Sequence, residues 1–219
     1  MDFFDTHLRD SESLFKDEMA LDQEYVPKFI KFRENEQQRI ADTIKPLFAK
    51  RTATNLFITG HPGLGKTLAV RHVLREMEER GLDENILLFY INCWKKDSAH
   101  KIMLEICDQL NYKFTISKTT DQLIKEVSKI INKKSAVIVL DESDKLEPQA
   151  LSLVYSLLED IYRKSIILIT NNRNFLAEID QRIHSRLTPE KIEFKPYSKD
   201  EAYEILKERV KYAFALNIF

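Results

Sequence analysis

At 219 residues, 43% of them hydrophobic, the chain can bury one substantial core and is too short for two full domains of ordinary size. The formal net charge of −1 advertises neither a nucleic-acid surface nor an anionic-membrane one. That balance is uneven: residues 1–24 carry eight acidic side chains against two basic ones, net −6, leaving +5 from Tyr25 onward, so the N-terminal arm repels DNA.

Past this arm, helical periodicity predicts a helix over about 34–49, and the apolar run NLFIT at 55–59 reads as a strand. A helix over 66–79 and a strand over 86–91 (ILLFYI) follow, then helices over 98–110 and 120–132 and a strand over 136–140 (AVIVL). The next helix, 147–162, carries Leu151, Val154, Leu158 and Ile161 on one stripe and is followed by strands at 166–170 (IILIT) and 191–194. A last helix opens at Ser198, where Ser-Lys-Asp-Glu has the form of a capping box, and runs to about Tyr212. Several strands are apolar without alternation, as parallel strands covered on both faces require, and strands alternating with helices mean a doubly wound α/β domain.

The two cysteines, Cys93 and Cys107, cannot build a disulfide framework and lack the paired spacing of a zinc site, which points to a reducing, intracellular compartment. Cys107 shares an apolar helical stripe with Met103 and Leu110 and reads as a small buried hydrophobe. The N-terminus opens on acidic residues rather than on a basic patch and an apolar run, and no stretch reaches the length of a membrane span. The expectation is a soluble, cytoplasmic protein with no membrane contact.

The strongest chemical signal is Gly60-His61-Pro62-Gly63-Leu64-Gly65-Lys66-Thr67, directly after one predicted strand and directly before one predicted helix, the context a P-loop requires. Phosphates need several N–H donors converging on one point; glycine permits both that curvature and the close approach. The loop residues His61 to Thr67, with Leu68, are therefore expected to bind ATP or ADP. Lys66 reaches the β and γ phosphates, and the Thr67 hydroxyl ligates Mg2+.

A second signal is VIVLDE, four apolar residues that deliver Asp141 and Glu142 to the carboxyl end of a buried strand, where open parallel sheets bind ligands. Asp141 is expected to hold Mg2+ and Glu142 to polarise an attacking water. Two adjacent acids can also cap a following helix, the role that suits Asp144 better. Asn171 ends the next predicted strand and should stand beside Glu142 at the same edge, holding the water or a γ-phosphate oxygen; a turn-forming asparagine explains the same letters.

GHPGLGKT, VIVLDESDKL, the ITNN strand end, the IDQRIHSRL segment and the KIEFKPYS and EILKER runs resemble archaeal origin-recognition and cell-division-control-type replication initiators of the AAA+ ATPase class. The stretch LDQEYVP at 21–27, followed by Phe32-Arg33-Glu34, is similar to the segment that leads into that family's ATPase domain, and the likeness covers about 15–212. It implies a P-loop AAA+ fold, a five-stranded parallel sheet sandwiched by helices and followed by the first helix of a lid. The expected organisation is an acidic arm at 1–24, the nucleotide-binding domain at 25–197 and the start of the lid at 198–219. By the same resemblance Val26, Pro27 and Arg33 flank the adenine, and Asn171 is the first sensor. Arg186 is an arginine finger acting on a neighbouring subunit's ATP, and Tyr197 and Arg209 contact nucleotide from the lid side. Without the family, Arg182, Arg186 and Arg209 read as solvated surface arginines.

The family's DNA-contacting insertion matches 92–119, which holds Trp94, Lys95, Lys96, His100, Lys101, Lys113 and Lys118; this composition suits backbone contact with double-stranded origin DNA, but on sequence alone an ordinary wet helix face is the favoured reading. Other AAA+ subunits or a replicative helicase are the further partners implied. The family continues into the rest of the lid and a winged helix, whereas this sequence stops at Phe219 on an apolar run from Tyr212 that looks like half of a packing surface. Three functions stay open on sequence: an ATP-switched replication initiator, another AAA+ loader or remodeller of the clamp-loader, transposition or defence type, and a nucleotide-binding interaction module with little turnover.

Overall fold

The continuous apolar runs become the middle of a parallel sheet. A computed structural model describes residues 15–22, 25, 27, 29–82 and 84–214. Its strands are β1 (Leu56–Thr59), β2 (Ile86–Asn92), β3 (Ser135–Asp141), β4 (Lys164–Thr170) and β5 (Glu190–Glu193), all parallel, in the order β2-β3-β4-β1-β5. All seven residues of β3 are buried. Val137, Ile138, Val139 and Leu140 are each 0% exposed, and each contributes about 1.5–3 kcal/mol of transfer free energy. The central strand is thereby anchored, and with it the position of Asp141 at its carboxyl end.

Helices cover both faces. Val137 and Val139 point into a layer with Ile40 and Ile44 of α1 (Glu34–Ile44) and Ala69, Val70 and Val73 of α2 (Lys66–Glu79). Ile138 and Leu140 point the other way, against Ile102, Met103 and Cys107 of α3 (Ala99–Gln109), Leu123 and Val127 of α4 (Thr120–Ile131) and Leu153 and Leu157 of α5 (Leu151–Asp160). Both cysteines are buried and free. Among the described residues no helix is long and apolar enough to cross a membrane.

Two side chains tie up the ends of strands. The Asn55 side-chain oxygen accepts the Ile166 N–H at 2.9 Å and its amide donates to the Leu187 carbonyl at 2.7 Å, so the residue expected to open β1 clips that strand to β4 instead. On the outer edge of β2, the Tyr90 N–H donates to Gln109 Oε1 at 3.3 Å and the Gln109 amide donates to the Tyr90 carbonyl at 3.0 Å.

Several expected boundaries shift. The helix expected over 34–49 ends at Ile44 and tightens into a 3-10 turn, Lys45–Ala49, because Pro46 has no N–H to continue the α ladder. The one expected over 147–162 starts as the 3-10 turn Pro148–Ala150 and ends at Asp160, with Ile161 extended. Between β4 and β5, where no element was expected, lie α6 (Phe175–Glu178) and α7 (Gln181–Leu187), the latter capped by the Asp180 carboxylate.

The chain divides into two compact units, the larger running from Arg33 to Pro196. The smaller comprises the described residues before Arg33 together with those from Tyr197 on. In it, α8 (Lys199–Ala213) opens with the expected capping box: Ser198 Oγ accepts the Glu201 N–H at 3.2 Å and the Glu201 carboxylate accepts the Ser198 N–H at 2.7 Å. Phe15 packs on Phe214 with ring centroids 5.0 Å apart, and Lys31 pairs with Glu208 at 3.1 Å.

Candidate functional site

Parallel strand order brings the expected chemistry to one edge. The loop after β1 lies between β4 and β5, and a backbone bond from Phe194 N–H to the Thr59 carbonyl holds the end of β5 against it at 2.8 Å. A side chain at Gly60 would put its Cβ 2.7 Å from the Phe194 carbonyl oxygen, at a φ of +150°, so only glycine passes that crossing. Gly65, at φ +84°, turns the chain into α2, which begins at Lys66.

Lys66 is 7% exposed, and its ammonium donates to the Gly60 and His61 carbonyls at 2.8 and 2.9 Å and to Asn171 Oδ1 at 2.7 Å. Burial lowers its pKa, against the opposing pull of Asp141, Asp144 and Glu142. Thr67 Oγ1 donates to Asp141 Oδ2 at 2.8 Å, so the helix that starts at the loop and the end of β3 meet through these two oxygens. Two hard oxygen donors on rigid elements fit magnesium. Among the described residues no group of three or more His, Cys, Asp or Glu side chains is built to hold a metal by itself, so that ion would depend on phosphate and water oxygens for the rest of its shell.

Glu142 follows Asp141 in a left-handed conformation, φ +55° and ψ +44°, with its N–H donated to Asp141 Oδ1 at 2.9 Å. Non-glycine residues occupy this region at some cost, and the fold retains it at the residue expected to act on water. Burial, then the charges of Asp141 and Asp144, push the Glu142 carboxyl above its ordinary range. The following turn is fastened to β4: Ser143 Oγ donates to the Ile169 carbonyl at 3.2 Å and Thr170 Oγ1 to Asp144 at 2.6 Å, the loop role expected of Asp144.

The remaining expected residues are spread more widely. Arg33 is 5% exposed, and its guanidinium donates to the Leu64 carbonyl at 3.2 Å, to the Lys195 carbonyl at 2.6 Å and to Glu36 at 3.1 Å, over the Phe194 ring. It braces the phosphate loop against the chain leaving β5. His61, Pro62 and Gly63 are exposed at the loop tip, and Leu64 and Leu68 are half-buried. Arg186, on α7, pairs with Glu159 of α5 at 2.5 Å and lies 5.8 Å from the Tyr155 ring, while Arg182 forks onto Asp180. Pro27, Tyr197 and Arg209 belong to the smaller unit, and Val26 lies outside the described residues, as do residues 215–219 of the apolar tail. Within 92–119, Trp94 is 66% exposed with the Lys145 ammonium 5.3 Å from its ring. Lys96, Lys101 and Lys118 pair with Glu105, Asp97 and Glu126, so part of the positive charge there is matched locally.

Sequence reasoning missed two contributors. Tyr90 donates its phenol to Asp141 Oδ2, and Arg71 of α2 lies 4.4 Å over the Tyr90 ring. Tyr90 sits inside an apolar run and reads there as core; only the pairing of β2 with β3, Asn92 opposite Asp141, brings it beside the acid.

Comparison with known proteins agrees with this geometry. A family model described as an AAA domain matches residues 49–191. The ORC1-type DNA replication protein 1 of Archaeoglobus fulgidus is 33% identical, over 98% of this chain and 54% of its own, and that of Sulfurisphaera tokodaii is 31% identical, over 92% and 52%. This chain thus spans about half the length of the curated relatives it matches. Among solved structures, the Aeropyrum pernix ORC1 protein in complex with DNA superposes with a TM-score of 0.84 at 25% identity, covering 93% of this chain and 56% of the other. With its strand order, phosphate loop and paired carboxylates accounted for together, the chain belongs to the AAA domain family and is similar to the ORC1-type DNA replication proteins.

Proposed function

We propose that the edge built by Gly60, Lys66, Thr67, Asp141, Glu142 and Asn171 binds ATP with magnesium and hydrolyses it, as the nucleotide switch of a DNA replication initiator. The observation that carries this reading is the convergence of Thr67 Oγ1 on Asp141 at 2.8 Å and of Lys66 Nζ on Asn171 at 2.7 Å. The loop N–H groups from His61 to Leu68 take the phosphates, and Lys66 turns from the loop carbonyls to the β and γ oxygens. Thr67 and Asp141 would hold the magnesium ion, which would supply positive charge to offset that of the phosphates. Glu142 takes a proton from the attacking water; the water oxygen bonds to the γ-phosphorus as the bond to the β-bridging oxygen breaks, giving ADP and phosphate. Asn171 orients the water or a γ-phosphate oxygen.

Arg186, on an exposed helix and paired to a side chain that is itself partly exposed, suits an arginine finger that leaves Glu159 to reach a neighbouring subunit's ATP. Pro27, Val26, Tyr197 and Arg209 are proposed to contact the base and the nucleotide, and Arg33 to form the base's neighbourhood through the loop it braces. The Aeropyrum pernix relative is in complex with DNA, and double-stranded origin DNA is the proposed partner here, through Trp94, Lys95 and Lys113 of 92–119, all exposed. Other AAA subunits and a helicase are the proposed clients of the switch.

The test is calorimetric titration with ATP and magnesium alongside phosphate release. Lys66→Ala should weaken ATP binding at least about a hundredfold, since it removes the charged donors to the phosphates. Unchanged affinity would end this reading. Intact binding without turnover, even with partner subunits, would leave a nucleotide-holding interaction module.

A further inference from the structure

The carboxylate expected to hold magnesium has a partner outside every motif. Asp141 Oδ2 accepts two hydroxyls at once, Thr67 Oγ1 at 2.8 Å and the Tyr90 phenol, while Oδ1 accepts the Glu142 N–H at 2.9 Å. A phenol is protonated at neutral pH, so Tyr90 donates and the carboxylate accepts. Its ring is fixed from the other side by Arg71, 4.4 Å away and one helical turn beyond Thr67 on α2. Its backbone is fixed as well, both polar groups being taken by the Gln109 amide. A half-buried tyrosine needing only shape would not require such anchoring on three sides.

We propose that Tyr90 is a positioning residue for magnesium: its hydroxyl holds the Asp141 carboxylate in the rotamer that faces Thr67, and Arg71 and Gln109 hold Tyr90. This rests on the nucleotide-binding reading above. Partners in the shell behind a metal ligand set that ligand's orientation, and their loss commonly weakens the metal by an order of magnitude or more.

The test uses the full chain with a fluorescent ATP analogue, titrated with magnesium and, separately, with chelator present. Tyr90→Phe keeps the ring, its stacking on Arg71 and its backbone bonds, and removes only the hydroxyl. The expected result is a rise of about tenfold in the half-saturating magnesium concentration, with nucleotide affinity in chelator changed less than about twofold. Arg71→Ala should move the magnesium requirement the same way by a smaller factor. An unchanged magnesium requirement in Tyr90→Phe overturns the proposal while leaving nucleotide binding intact. An equal loss of affinity with and without magnesium also overturns it, since that marks Tyr90 as merely structural. Failure of the unaltered chain to bind nucleotide at all would instead refute the underlying reading, and this proposal with it.

Discussion

Arg33→Ala isolates the brace beneath the phosphate loop. The guanidinium is almost fully buried and serves the Leu64 and Lys195 carbonyls and Glu36. Truncation leaves two backbone acceptors without that donor and removes the cation beside Glu36. A hydrogen bond from a charged donor is worth about 1.5–3 kcal/mol, and three sharing one group do not add, so a loss of about 3–4 kcal/mol is expected. For a chain of this size each kcal/mol moves the melting temperature by about 2–4 °C, giving a fall of about 6–16 °C. Arg33→Lys should recover less than half, because one ammonium cannot span carbonyls on two segments as the planar fork does. Thermal unfolding followed by circular dichroism measures the drop, and isothermal titration should show weaker ATP binding because Leu64 lies in the loop. A fall below about 2 °C, with affinity intact, would refute the brace.

Glu142→Gln should cut phosphate release about 10²–10⁴-fold while ATP still binds, as expected for loss of a general base. Because the native Glu142 carboxyl is raised, the folded chain holds more protons than the unfolded one between the ordinary carboxylate pKa and the raised one, and stability falls as pH climbs through that window. Glu142→Gln should therefore raise the melting temperature at neutral pH and give no such gain in acid; equal gains at both would contradict the assignment. Gly60→Ala, with its Cβ driven against the Phe194 carbonyl at 2.7 Å, should cost about 1–3 kcal/mol in chemical denaturation and abolish nucleotide binding. Arg186→Ala should change stability by less than about 1 kcal/mol, its pair with Glu159 being substantially exposed, and leave ATP affinity unchanged; turnover should drop only under conditions where subunits associate, as read by sedimentation and phosphate release together.

What could be read from sequence follows burial. β3 and β4 were legible because strands covered on both faces leave a continuous apolar signal, and the phosphate loop because only glycine tolerates the turns at Gly63 and Gly65 and the crossing at Gly60. Thr67, Asp141, Lys66 and Asn171 were singled out by their positions at strand ends and the loop, and strand order then brings them together. Less legible were α6 and α7, too short to show a period, the break at Pro46, where a single missing N–H ends the α ladder, and the 3-10 turn that opens at Pro148. Arg33 was expected beside a base, and its grip on two carbonyls was not foreseen; nothing in a linear sequence says that Leu64 and Lys195 come within one guanidinium of each other. Tyr90 was hidden for the same reason, its partner lying 51 residues away across a strand pairing.

A parallel sheet ending in β2 would ordinarily offer an unpaired ribbon of donors and acceptors to any extended peptide. The Gln109 amide occupies that position at Tyr90, imitating the next strand with a single side chain. Strand addition there would have to displace it, so this flank is guarded against edge-to-edge aggregation at a residue that also touches Asp141. Gln109→Ala should thus be felt twice, as a stickier protein and as a looser acid.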